Sequence, residues 1–267
     1  MSVLAAPRFA PRASSSPSSP ALAALRVVEL EGDLRGVLIP SAEVQVVARL
    51  GGTAAGGLDV HALGARQTVH RKQLSTGQRV VLARLQLGAA EAVLGAPGSA
   101  LAGRIVALED LWGRYATRLL LERLARARTP AELTSVLEGA IAERFRKAGE
   151  GGSGSRLVIH ASERLTSSSV NAVAADLGVS ERHLRRVFQE SVGVNPKTFA
   201  KLTRFRRAVQ VARTQVTPSW ATIALGAGYY DQAHLISEFR AIAGVTPRAL
   251  LGELRGGGQS SPPMLEL

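Results

Sequence analysis

The stretch Phe188-Gln-Glu-Ser-Val-Gly-Val-Asn-Pro-Lys197 returns 51 residues later as Phe239-Arg-Ala-Ile-Ala-Gly-Val-Thr-Pro-Arg248. Each copy is a Phe, four residues, Gly-Val, a residue able to cap a helix, Pro, and a cation. A Leu stands four residues before each Phe, at Leu184 and Leu235, and a turn glycine precedes each copy, at Gly178 and Gly228. Gly ends a helix in the left-handed region, and a capping residue followed by Pro starts the next one. The chain therefore builds one small helical unit twice.

Working outward from the first copy, Val170, Val173 and Ala174 form the apolar stripe of a short helix. Leu177-Gly178-Val179 makes the turn, and Ser180 is a good N-cap for the helix that follows. In that helix Leu184, Val187 and Phe188 fall at i, i+3 and i+4 and face inward, while Arg182, Arg185, Arg186 and Gln189 share the opposite face. In the second copy Ile223 and Ala224 correspond to Val173 and Ala174, and Tyr229 to Val179 with one extra turn residue. Asp231 replaces Ser180 as cap, and Leu235 and Phe239 replace Leu184 and Phe188. The outer face there carries Gln232, Ala233, Ser237 and Arg240. Seven helices are predicted in this region, over 156–165, 169–175, 180–190, 196–213, 218–225, 231–241 and 247–254, with no strand.

This pattern is that of two helix-turn-helix units, and charge points to the ligand. The chain carries a net charge of +12, and residues 156–255 hold 14 Lys/Arg against 7 Asp/Glu, the densest basic excess in the chain. Three guanidiniums on one exposed helix face suit a polyanion, and Arg is the commonest bidentate reader of guanine. Gln reads adenine, and Ala offers a methyl contact to thymine. The two outer faces differ, so a directional DNA site is expected rather than a palindrome. A connecting helix over 196–213 would span about 27 Å, against the ~34 Å between successive major grooves. Along it lie Lys197, Lys201, Arg204, Arg206 and Arg207. Each either touches a phosphate or pairs with a carboxylate of the domain.

The remaining half reads differently. Arg26–Leu30, Gly36–Ile39, Glu43–Leu50 and Arg79–Leu87 are β-branched runs cut by glycines. Helical spacing then joins Leu108, Leu111, Trp112, Tyr115, Leu119 and Leu120. After the Thr129-Pro130 start signal it also joins Leu133, Val136, Leu137, Ala140, Ile141 and Phe145. The chain is thus α+β: a tail over 1–20, a β-rich module with two helices over 21–148, a flexible linker over 149–155, an all-α domain over 156–255, and a frayed end over 256–267. Gly149-Glu-Gly-Gly-Ser-Gly-Ser155 has linker composition and lacks the strand and lysine of a phosphate-binding loop.

With 267 residues and 46% hydrophobic residues the chain can bury a real core, and no apolar run approaches the ~20 residues of a membrane span. No Cys is present, which removes disulfides, thiolate nucleophiles and zinc ribbons. Residues 1–20 lack the apolar run of a secretory signal, and a cytoplasmic location without membrane association is expected. His61 and His70 are far apart in sequence and form no metal pair. No metal and no cofactor are expected.

Residues 156–254 resemble the C-terminal domain of the AraC/XylS family of bacterial transcription regulators. The resemblance rests on Ala174-x3-Gly178-Val-Ser180, Leu184-Arg-Arg-Val-Phe188, Gly193-Val-Asn-Pro196, Arg204-Phe-Arg-Arg-Ala208, Ile223-Ala224-x3-Gly228-Tyr229 and Phe239-Arg-x3-Gly244-Val-Thr-Pro247. It implies that Arg182, Arg185 and Arg186 contact bases in the first reader, and Gln232, Ala233 and Ser237 in the second. Ser180, His183, Gln189, Lys197, Lys201, Arg204, Arg207, His234 and Arg240 are then placed on the backbone or the flanks. A basic residue is common where Ser237 stands, and Glu238 puts an acid beside the expected DNA face, so the second reader is expected to add less affinity. The resemblance also implies double-stranded DNA and RNA polymerase as partners, and a cupin-like N-terminal module that binds a small-molecule effector or makes a homodimer.

Two other classes compete with a non-enzymatic regulator. A DNA-repair alkyltransferase fused to such a domain needs a Cys acceptor, which the chain lacks, and no nucleophile elbow or zinc motif replaces it. An architectural DNA binder without an effector differs only in ignoring metabolites.

Overall fold

The computed structural model describes residues 11–15, 17–29, 34–51, 54–74, 77–149 and 153–255. The frayed segment expected over 256–267 lies outside the described residues, as do residues 1–10 and 16 of the expected tail.

Eight strands open the fold: β1 Pro11–Ser15, β2 Leu22–Glu29, β3 Leu34–Leu38, β4 Gln45–Leu50, β5 Leu58–Leu63, β6 His70–Leu74, β7 Arg79–Leu85 and β8 Ile105–Ala107. Six form one antiparallel sheet in the order β1-β2-β7-β4-β5-β8, and β3 pairs with β6 as a separate ribbon. Five helices belong to the same half: α1 Ala90–Leu94, α2 Gly98–Leu101, α3 Leu108–Trp112, α4 Arg114–Arg126 and α5 Pro130–Ala148. The C-terminal half is helical throughout: α6 Ser153–Arg164, α7 Val170–Asp176, α8 Glu181–Val192, α9 Pro196–Thr214, α10 Trp220–Ala227, α11 Gln232–Ala243 and α12 Pro247–Arg255. The chain is α+β, as its sequence pattern implies.

The six-stranded sheet is covered on both faces. Val27, Val46, Ala48, Val81 and Ala83 pack against Leu120 and Leu124 of α4 and Leu133, Leu137 and Ile141 of α5. On the other face Val28, Val47, Leu63, Val80 and Leu82 meet Leu38 of the ribbon. Burial of both faces explains why β4 and β7 read as nearly continuous apolar runs, although the sheet is antiparallel. Helix α5 starts where Thr129-Pro130 predicts: the Thr129 hydroxyl accepts the Glu132 amide while the Glu132 carboxylate reaches back to the Thr129 amide.

Several boundaries differ from the sequence reading. The expected tail over 1–20 contains β1, which pairs with β2, and the Ser18 and Ser19 amides donate to Glu138 at 2.6 and 3.0 Å. The expected linker over 149–155 is shorter, because α6 already begins at Ser153 and the Ser155 hydroxyl donates to the Gly88 carbonyl at 2.9 Å. Strands β5, β6 and β8 and helices α1 and α2 were not anticipated. The single apolar stripe read through Tyr115 and Leu119 is broken at Gly113, which separates α3 from α4. The rotated register leaves Tyr115 and Leu119 exposed while Leu120 and Leu124 are buried.

The two halves share one core. Val37, Ile39, Ala42 and Ala65 of the N-terminal half pack in the same apolar cluster as Phe188, Phe205 and Phe239. Polar ties reinforce it: the Val69 amide donates to the Ile242 carbonyl at 2.9 Å, and Arg206 of α9 reaches Glu43 at 2.8 Å.

Candidate nucleic-acid interface

Each unit is a short helix, a glycine turn and a capped second helix. The turn residues Gly178 and Gly228 sit at φ of +67° and +89°, a region that disfavours any side chain. Ser169, Ser180, Asn195, Ser219 and Asp231 each accept the backbone amide three residues on, capping α7, α8, α9, α10 and α11. Each such cap contributes about 1 kcal/mol. The boundary residues that the repeat predicts therefore start and stop the helices in the structure.

Helix α9 holds both units. Near its start Phe199 meets Phe188 of α8 edge-on, with centroids 5.3 Å apart. Further along, Phe205 meets Phe239 of α11 at 4.5 Å, and Trp220 of α10 closes on the same ring at 6.1 Å. Leu184, Phe188, Leu235 and Phe239 are all buried, so the two copies use matching residues as anchors. With 19 residues α9 is about 28 Å long.

The inward anchors dictate what faces out. On α8 the exposed side chains include Arg182, His183, Arg185, Arg186 and Gln189. Arg185 pairs with Glu181 one turn back, and Arg186 pairs with Glu190 one turn on at 3.0 Å. An Arg186 nitrogen also lies 3.4 Å from His183 Nδ1. Among the described residues Arg182 makes no ion pair. Exposed pairs within a helix are worth about 0.3–0.5 kcal/mol, so a phosphate or a base edge can displace them at small cost. Gln189 is partly committed, its amide donating to the Gly193 carbonyl at 3.1 Å beyond the helix end.

On α11 the exposed side chains include Gln232, Ala233, His234, Ser237 and Arg240. Glu238 is not among them. Its side chain is only 13% exposed and pairs with Arg204 of α9 at 2.9 Å. Arg204 also lies over the ring of the buried Tyr229, 5.5 Å from its centroid. Burial, helped by the neighbouring Glu238 charge, pushes the Tyr229 phenol well above its ordinary pKa. His234 lies 3.5 Å from the same carboxylate. The acid expected beside the DNA face is thus turned into the domain, and Arg204, expected on a phosphate, is turned in with it. The equivalent position in the first unit is Val187, buried and apolar. Lys197 and Arg207 are exposed on α9 and Lys201 is half-buried, while Arg206 is engaged by Glu43.

Tyr230 was missed by sequence reasoning. It is 87% exposed, immediately before the Asp231 cap at the start of α11. The available signal was the one extra residue in the second turn. Among the described residues no three His, Asp or Glu side chains gather to hold a metal ion, and no helix is long and apolar enough to cross a membrane.

Residues 159–253 match the family model described as a helix-turn-helix domain. The chain carries an AraC-type helix-turn-helix domain. That domain is a DNA-binding module of transcription regulators. No curated protein is similar in sequence at a significant level. Among solved structures, ToxT from Vibrio cholerae is 13% identical, covering 85% of this chain and 95% of its own, with a TM-score of 0.41. An unsaturated fatty acid-bound form of ToxT is 11% identical, covering 90% and 97%, with a TM-score of 0.43.

Proposed function

We propose that the protein is a sequence-specific transcription regulator that reads two adjacent major grooves with non-identical helices. Helix α8 reads one with Arg182, Arg185 and Arg186, and α11 reads the other with Gln232, Ala233 and Ser237. The observation that carries this reading is the pair of capped helices, anchored by equivalent Leu and Phe residues on one connector, whose exposed faces differ chemically. Ser180, His183, Lys197, Lys201 and Arg207 flank the first reader and its connector. His234, Arg240 and the exposed Tyr230 flank the second. Phosphate contacts from these positions fix register, and base contacts confer sequence preference. Regulation through RNA polymerase follows from binding near a promoter, in the cytoplasm. The N-terminal half senses a small molecule or joins two chains, and its shared core with the helix-turn-helix domain is a route by which either event reaches the readers.

In-vitro selection of bound duplexes tests the reading. It should return an asymmetric site whose two conserved blocks lie about one helical turn apart, ~10 base pairs. A single short block, or a perfect palindrome bound by one chain, would refute the two-reader scheme.

A further inference from the structure

Helices α8 and α11 are seated on the N-terminal half at equivalent points. Counting from Phe188 and Phe239, Ser191 and Val192 of α8 correspond to Ile242 and Ala243 of α11. Gly98 of α2 lies backbone to backbone against Ser191 and Val192. Val69 and Arg71 take the matching place on α11. The Val69 amide donates to the Ile242 carbonyl at 2.9 Å, and an Arg71 nitrogen donates to the Ala243 carbonyl at 3.2 Å. The last carbonyls of a helix lack partners within it, so these bonds finish α11 from outside its own domain. Arg71 also grips Glu253 of α12 through two bonds, at 2.7 and 3.0 Å.

The two seats belong to one piece of structure. Val69 ends the connection between β5 and β6, and that connection is stitched to the turn after α2. The Gly64 amide donates to the Arg104 carbonyl at 3.1 Å, and the Gly103 amide donates to the Ala65 carbonyl at 2.8 Å. Gly64 approaches α2 so closely that a Cβ there would sit 1.7 Å from the Leu101 carbonyl oxygen. Ala65 is buried in the core that both halves share. A continuous path therefore runs from the end of α8 through Gly98, α2 and the 64–69 connection to the end of α11. It is separate from α9, which joins the same two helices through Phe188–Phe199 and Phe205–Phe239.

We propose that α2 and the 64–69 connection form a strut that fixes the distance and angle between the two readers, and that Arg71 is a positioning residue setting which spacing of DNA blocks is accepted. The inference rests on the two-reader scheme above. One connector leaves two bodies free to rock about it, whereas a second link at a separate point removes that freedom. Both seats lie at the C-terminal ends of the readers, and base edges are met by the N-terminal residues of such helices. The strut therefore leaves the reading ends clear. Each added base pair moves a block by about 3.4 Å along the duplex, further than a hydrogen-bonded seat can stretch and hold.

The test measures binding of the full-length protein to its selected duplex and to versions with the two blocks moved one or two base pairs closer or further apart. Fluorescence anisotropy is the readout, and urea denaturation checks that each variant is folded. The parent should lose about a hundredfold on displaced sites, the avidity that simultaneous engagement supplies. Arg71→Met and Glu253→Gln weaken the seat on α11 by removing the cation or the acid that holds it. They should lose only about tenfold or less on the same displaced sites, with base preference inside each block unchanged. The same spacing profile in the parent and both folded variants overturns the strut. So does an equal loss at every spacing in Arg71→Met alone, which would place Arg71 on a phosphate. A parent that binds one block as tightly as two removes the two-reader scheme itself and leaves the strut no spacing to set.

Discussion

Gly98 of α2 and Gly193, the residue that ends α8, meet backbone to backbone across the boundary between the two halves. A Cβ on Gly193 would sit 2.5 Å from the Gly98 carbonyl oxygen, and one on Gly98 would sit 2.4 Å from the Ser191 carbonyl oxygen. The obstructing atoms are backbone, so no side chain can swing aside to make room. Gly193 also sits at φ +87°. Helix α8 is therefore seated against the N-terminal half at a distance only glycine permits.

Gly98→Ala should force the seam apart and cost about 1–3 kcal/mol, read by urea denaturation of the full chain. Because Gly98 lies outside the helix-turn-helix domain, a change in operator affinity in the same variant would show that the seam sets the attitude of α8. Unchanged stability would mean the contact is looser than the geometry states.

Arg182 makes no ion pair among the described residues, whereas Arg186 must first leave Glu190. Arg182→Ala and Arg186→Ala should each weaken specific binding by about 1–3 kcal/mol and relax one base position. Fluorescence anisotropy on the selected site and on a scrambled duplex checks this. Equal losses on both duplexes would reduce these residues to phosphate contacts.

Arg204→Ala leaves Glu238 largely buried without its cation and removes the group lying over Tyr229. Breaking such a pair costs about 3–5 kcal/mol when fully buried, and the partial exposure here places the loss toward the lower end. Double substitution of Arg204 and Glu238 by Met should recover much of it. Denaturation midpoints of the single and double variants decide the matter, and a near-neutral Arg204→Ala would mean the pair is solvated in solution.

Glu43 ties the N-terminal half to Arg206. Burial works to raise its pKa, but the Arg206 and Arg84 guanidiniums, the Ser41 hydroxyl and its own backbone amide together hold it below the ordinary value. A carboxylate depressed on folding contributes stability that is complete above the unfolded pKa and is lost as pH falls through the folded one. The stability gap between the parent and Glu43→Gln should therefore be full near neutrality and close on acidification below the ordinary carboxylate range. A gap independent of pH would remove the charge from the explanation.

The C-terminal half was legible because its signals are local. Ser180, Asn195 and Asp231 cap helices through their own neighbours, and Leu184 and Phe188 repeat as Leu235 and Phe239, so periodicity and punctuation suffice. The N-terminal half was only partly legible. Strand β6, His70-Arg-Lys-Gln-Leu74, carries no apolar alternation, since its two faces are set by a ribbon partner and by two different domains. Tyr115 and Leu119 keep helical spacing with Leu111 and Trp112, yet the break at Gly113 rotates them outward. In the helical half, sequence located the exposed faces of α8 and α11 but not the commitment of Arg204 and Arg206, because their partners Glu238 and Glu43 lie 34 and 163 residues away.

The exchange of Val187 in one copy for Glu238 in the other makes the two units unequal in independence. The first unit buries only an apolar side chain at this position, which makes no demand for a particular cation on the connector. The second requires a particular cation from a particular turn of α9. A duplication starts with two transferable modules, and here only one remains so. Grafted onto a foreign connector, the first reader would keep its footing, whereas the second would carry an orphaned charge into the core. The indivisible piece of this protein is α9 with α10 and α11, whereas the first unit is exchangeable at the connector so long as Gly193 keeps its seat against Gly98.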